Sequence, residues 1–246
     1  MATAIALILA IPFFLAALLY SSVGHAGASA YLAVMGLFGM TSSVMKPTAL
    51  ILNIVVATIA TVKFRRAGLF SWPLFWPFAV TAIPFAFLGG AITLPAGAYE
   101  AVVGFVLIFA AVRLLIALSG PPASSTTRPK LWVALIVGAG IGLLSGLVGV
   151  GGGIFLSPLI LLAGWADPRT TSAVAAPFIL VNSVAGILGN PSSIAAVPSQ
   201  LPIWAAAVVA GGWIGAHFGS QRLKTVTIRR LLALVLIIAG VKMILT

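Results

Sequence analysis

"LVGVGGGIFLSPLILL", residues 147–162, decides how the chain is read. Gly149, Gly151, Gly152 and Gly153 interrupt an apolar run that continues through Pro158. Glycine weakens a helix, and hydrocarbon offers an exposed N–H or C=O no water to bond. Irregular backbone at such a place must line a cavity or lie buried in protein. A short helix begins just after the break, near Ile154. Its first turn presents unpaired N–H groups and about half a positive charge. Glycine lets an anion approach that backbone with no Cβ in the way. The competing reading is close helix packing, which Gly138, Gly142 and Gly146, spaced by four, serve just upstream. A nucleotide-binding loop is a poor third reading, because no strand precedes the run, no GK[ST] follows it and it lies within an apolar segment.

Composition sets the solvent. Of 246 residues, 62% are hydrophobic and 6% charged, where a soluble domain carries about 25% charged residues. The chain is a polytopic, all-α membrane protein. Its formal net charge of +11 comes from 13 Lys and Arg against two acids, Glu100 and Asp167. The basic residues are scattered between apolar runs, which fits loops facing an anionic leaflet rather than nucleic acid. There is no Cys, so disulfides and thiolate metal sites are excluded, and two acids leave no carboxylate pair or metal cluster. No cofactor is expected. The first apolar run has no basic segment ahead of it and reads as part of the mature fold.

Apolar segments fall at 3–22, 26–39, 44–62, 71–92 and 97–118, then at 131–147, 151–164, 171–190, 201–220 and 226–245. The polar stretch "SGPPASSTTRPK" divides them, giving a first repeat at 1–118, a linker at 119–130 and a second repeat at 131–246. The two halves match. Val23-Gly24-His25-Ala26-Gly27 aligns with Val148-Gly149-Val150-Gly151-Gly152. Further on, one offset pairs Asn53 with Asn182, Arg113 with Lys242, and Ala82, Ala86 and Gly90 with Gly211, Gly215 and Gly219. The last set is a small-xxx-small stripe, a mark of close helix packing in membranes. Basic residues put the Lys63–Arg66 loop, the linker and the 221–230 loop inside, and leave the 93–98 and 191–200 loops outside. Equivalent loops then lie on opposite sides, so the repeats are inverted. Each consists of a glycine-broken helix pair followed by three transmembrane helices. The second and seventh segments are short. Whether each pair is a re-entrant hairpin or two crossings stays open.

Paired breaks in inverted repeats point to a midplane transport site. The candidates at the first break are Gly24, His25, Ala26, Gly27 and Ser29, and at the second Gly149, Gly151, Gly152 and Gly153. His25 can donate to an anion or carry a proton with it; a neutral ring bonded to a carbonyl is the plainer role. Asn53 and Asn182 sit near mid-depth, where a buried amide is costly unless paired. They either bond across helices or face the substrate. Lys46, just before Pro47, attracts anions at a vestibule or snorkels. His217 reads as structural or as part of a cytoplasmic mouth, and Arg113 and Lys242 as snorkelling anchors. Asp167 reads as an N-cap with Pro168 at the first helical position. Trp72, Trp76, Trp165 and Trp204 fit interfacial belts.

"GLVGVGGGIFLSPLILL" and "SSVGHAGASAYLAVMGL", with the chain length and basic interior loops, resemble the TauE/SafE sulfite-exporter family. The resemblance covers nearly the whole chain, and the first repeat departs from the glycine-rich pattern at His25, Ala28 and Ser29. It implies a bacterial inner-membrane permease that exports sulfite or a related organosulfur anion. The partners are then a small anion and the lipid bilayer, with a homodimer left open. A membrane-embedded enzyme, a non-transporting scaffold subunit and a permease for another anion are the alternatives. An enzyme would need a nucleophile or base dyad, and the chain has two isolated histidines, His25 and His217.

The topology is testable by thiol labelling, since the chain has no native Cys. Single cysteines at Arg66, Ala96, Ser125 and Ser192 should label from inside, outside, inside and outside. Labelling of Ala96 and Ser125 from the same side contradicts the inverted arrangement.

Overall fold

Backbone groups in an apolar run have to bond within their own segment, so the segments fold as helices. The computed structural model describes residues 2–116, 128–219 and 226–245. Among them are α1 (Ala2–Ser21), α2 (Ala28–Leu37), α3 (Ser42–Arg66), α4 (Trp72–Ala91) and α5 (Ala96–Ile116) in the first half. The second half holds α6 (Leu131–Val148), α7 (Gly153–Leu162), α8 (Pro168–Gly189), α9 (Leu201–Gly219) and α10 (Val226–Leu245). A 3-10 helix at Pro191–Ala196 occupies the loop before α9, where the sequence suggested only loop. The linker through residue 127, together with Arg222 and Lys224, lies outside the described residues, as do the side chains of Arg113, Arg229 and Arg230.

Helices α3, α4, α6, α8 and α9 are long and apolar enough to cross a bilayer. Helices α2 and α7 have ten residues each, about 15 Å at 1.5 Å per residue. That is half the roughly 30 Å of hydrocarbon, so each is a half-helix. The terminators are local. Gly149 takes a left-handed φ of 88° and its N–H bonds Ser145 O at 2.8 Å, which ends α6. Asp167 opens α8 by accepting from Arg169 N at 2.9 Å and Thr170 N at 3.1 Å, with Pro168 first in the helix. Partial burial pushes the Asp167 carboxyl up, but the Thr170 hydroxyl and these two N–H groups outweigh it and hold it below its ordinary value.

The heaviest packing joins the halves rather than lying within them. Helix α1 packs on α9, α4 on α6, α5 on α10, α8 on both α4 and α3, and α3 on α9. Exchanging the halves maps α1–α9 onto α6–α4 and α4–α8 onto α9–α3, and leaves α5–α10 and α3–α8 unchanged. One buried cluster accordingly runs from Leu9 and Phe13 through Leu52 and Leu107 to Leu236 and Met243. A second gathers Phe78, Ile141, Leu156 and Phe178 from α4, α6, α7 and α8.

Small residues set these approaches. A Cβ on Gly138, Gly142 or Gly146 would overlap the backbone oxygen of Phe78, Ala82 or Ala86. On α9, Gly211 and Gly215 stand in the same relation to Phe14 and Leu18 of α1. Gly90 meets the backbone of Gly186 on α8. Both stripes are therefore helix-packing surfaces. That closeness corrects one belt residue. Trp204 is buried at 1% exposure, its ring edge-on to Phe13 at 5.4 Å, because α9 lies so near α1. Trp72 and Trp76 are exposed, as a belt requires.

Two alanine substitutions on one helix test the packing. Gly146→Ala should lower folded yield and thermal stability, by about 1–3 kcal/mol for an overpacked contact. Gly140→Ala meets nothing within 4 Å and should be neutral or slightly stabilising. Size-exclusion profiles and melting curves in detergent read both, and equal behaviour would mean that the close approach carries no stability.

Candidate functional site

The two breaks have matching backbones. Gly24 and Gly27 in the first, and Gly149, Gly151 and Gly152 in the second, all have positive φ between 74° and 102°. Each break turns the chain into a half-helix. Gly27 O accepts from Ala30 N and Tyr31 N, and Gly152 O from Phe155 N and Leu156 N. Ahead of those bonds lie Ala26–Ser29 N–H and Gly151–Ile154 N–H. No backbone carbonyl among the described residues accepts from these groups.

The carbonyls of the breaks are treated differently. Tyr31 Oη donates to Ala26 O at 2.6 Å, and Tyr99 Oη to Val148 O at 3.0 Å. The His25 ring places Nδ1 3.0 Å from Val23 O and Nε2 3.1 Å from Gly153 O. The third of the chain's three tyrosines, Tyr20, accepts from Ser29 Oγ at 2.9 Å. Side-chain donors thus cover acceptors at both breaks, while the amide donors lack backbone acceptors among the described residues.

Buried polar side chains gather at the second break. A Cβ built on Gly151 would lie 2.8 Å from Asn53 Nδ2 and 3.0 Å from Ser183 Oγ, with Ile179 at 2.6 Å. Asn53, Asn182 and Ser183 are fully buried, and none of their side-chain N or O atoms has a hydrogen-bond partner in the protein. Ser145, whose Cβ lies 3.5 Å from a Cβ on Gly152, is also buried and unpartnered. A buried polar group left unpaired costs about 1–3 kcal/mol, so this group of side chains carries an unmet hydrogen-bonding demand.

The other sequence candidates divide. Gly24 lies against the backbone of Ser172 on α8, and Gly152 against Ile141 and Phe178, so both serve packing. Gly27 leaves room for the Tyr31 hydroxyl to reach Ala26 O. Gly153 packs on Ile179 and faces the His25 ring at 3.5 Å. Lys46 sends Nζ to Gly89 O, Gly90 O and Ile92 O at 3.1–3.3 Å, where it caps the end of α4 while its stem passes Gly149. Lys242 likewise caps α2 through Gly36 O and Leu37 O at 3.2 and 3.0 Å. His217 is exposed on α9. Sequence reasoning missed Ser183, Ser145 and the tyrosines. The signals were present: Tyr20 and Tyr31 flank the first break, and Ser183 adjoins Asn182.

Helices long and apolar enough to cross, with half-helices that begin at glycine breaks, define a polytopic membrane protein. The family described as Sulfite exporter TauE/SafE matches residues 9–243, and the chain belongs to it. A curated relative from Sinorhizobium fredii (strain NBRC 101917 / NGR234), named "Probable membrane transporter protein y4hK", is 42% identical over 238 residues, 96% of each chain. No solved structure matches the chain. Family and relative both point to a transporter rather than an enzyme.

Lys46→Met tests whether this cation serves the helix end. Melting temperature should fall, because three carbonyls lose a charged donor worth about 1.5–3 kcal/mol. Anion flux per folded molecule should change little. A selective loss of flux at unchanged stability would instead return Lys46 to the substrate path.

Proposed function

We propose that the chain is a secondary carrier for a small oxyanion, with sulfite or a related organosulfur anion as the first candidate. The observation that carries this is the cluster at Gly151. Asn53 and Ser183, fully buried and unpartnered, stand beside the open amides that begin α7. An oxyanion would take N–H donors from the half-helix and an NH₂ donor from Asn53, and would relieve the cost of their burial. Such a site avoids the several kcal/mol that a lysine or arginine costs at the bilayer centre. The family name supports sulfite as the substrate.

The transport cycle is alternating access between two inverted repeats, in the inner membrane of a bacterium. The exchange-symmetric packing of the halves supports this, since two equivalent arrangements about one axis supply inward- and outward-open states. A potential negative inside favours export of an anion by about 2.3 kcal/mol per charge per 100 mV.

Asn53→Leu separates a substrate ligand from interhelical glue. The amide has no protein partner, so an apolar replacement of similar size should keep or raise the melting temperature. Anion affinity by titration calorimetry, and flux in liposomes, should fall about tenfold or more, since a hydrogen bond to a charged group is worth about 1.5–3 kcal/mol. Wild-type affinity and flux in a stably folded variant would remove Asn53 from the site.

A further inference from the structure

One titratable side chain joins the two breaks. His25 Nδ1 lies 3.0 Å from Val23 O in its own break, and Nε2 lies 3.1 Å from Gly153 O across the interface between halves. A carbonyl oxygen only accepts, so each bond needs a proton on the ring nitrogen that makes it. Neutral imidazole has one N–H. Both bonds therefore exist together only in the imidazolium.

We infer that His25 is a proton-binding site that ties the two breaks together when occupied, and that the proton is taken up with the anion. The coupling to an anion rests on the carrier reading above. The proton adds to whichever ring nitrogen lacks one, and no covalent bond of the chain changes. Protonated, the ring holds Val23 O and Gly153 O at once and adds a positive charge beside the amides of α7. Deprotonated, it keeps one carbonyl and releases the other, and the added charge is gone. Anion and proton then favour each other's binding by the same factor.

Among the described residues, the groups around the ring and the breaks are the following. From α1, Tyr20 presents its ring edge-on at 6.3 Å between centroids. From α2, Tyr31 is bonded to Ala26 O, and from α5, Tyr99 to Val148 O. Helices α6 and α7 contain no titratable residue. On α3 the nearest cation along the chain to the breaks is Lys46, whose Nζ is engaged at the end of α4. The Asp167 and Arg169 charges of α8 lie at its opening turn.

The test uses the small number of histidines. The chain has two, so His217→Gln leaves His25 as the sole imidazole. Nitrogen-15 spectra of this variant in nanodiscs should show, at low pH, a ring protonated at both nitrogens. Both N–H protons should be slow to exchange with solvent, as two buried bonds require. Sodium methanesulfonate, a monoanion that does not titrate in this range, should extend the imidazolium to higher pH. Its affinity should weaken with rising pH by up to about tenfold per unit. In His25→Gln the affinity should be flat with pH. A ring that stays neutral from pH 5 upward, or an imidazolium whose N–H protons exchange freely, overturns the tie. Methanesulfonate that binds with a pH-independent affinity overturns the coupling. A protected imidazolium in a protein that binds none of methanesulfonate, sulfite or thiosulfate leaves the tie standing and removes the carrier reading.

Discussion

Backbone hydrogen bonding in hydrocarbon is the constraint on which the rest of this structure depends. Among the described residues ten α-helices satisfy it within themselves, and two glycine breaks violate it. The violations are handled unevenly. Tyr31, Tyr99 and His25 cover carbonyls of the breaks, and the amides that open α2 and α7 remain without backbone partners among the described residues. A break treated this way is uneven: its acceptors are covered and its donors are left without backbone partners. The family to which the chain belongs is described as Sulfite exporter TauE/SafE.

Lipid gives no hydrophobic drive between helices, so association rests on close contact. Here the contact is backbone on backbone, through Gly138, Gly142 and Gly146 on α6 and through Gly211 and Gly215 on α9. The half-helices are then held from the side, by α3 against α2 and by α8 against α7. The polar cluster lies where those supports meet the second break.

Much of this was legible in the sequence. Hydropathy and length located every described α-helix within a few residues, because an apolar run in a bilayer has few other choices; the 3-10 helix at Pro191–Ala196 was read as loop. The small-residue stripes announced packing, and Asn53 and Asn182 announced themselves as amides too deep to be incidental. Partners across the fold were not legible. His25 finds Gly153 128 residues away, and Tyr99 finds Val148 49 residues away. Lys46 resembled a vestibule cation, yet its carbonyl partners lie 43–46 residues further on. Trp204 resembled a belt residue because nothing local shows how near α1 comes to α9. Local pattern fixes the elements and their faces. Which donor answers which acceptor depends on the interleaving of halves.

That interleaving bears on how the chain is made. Helix α1 is complete by residue 21, but its main partner α9 begins at residue 201. At about 5–20 residues per second, roughly 10–40 s of synthesis separates them. Through that interval the close-packing face of α1 has only lipid, or the insertion machinery, against it. The close approach of α1 to α9 can therefore form only late in synthesis. By the same logic, two separately made halves would carry the helix faces through which they pack on each other.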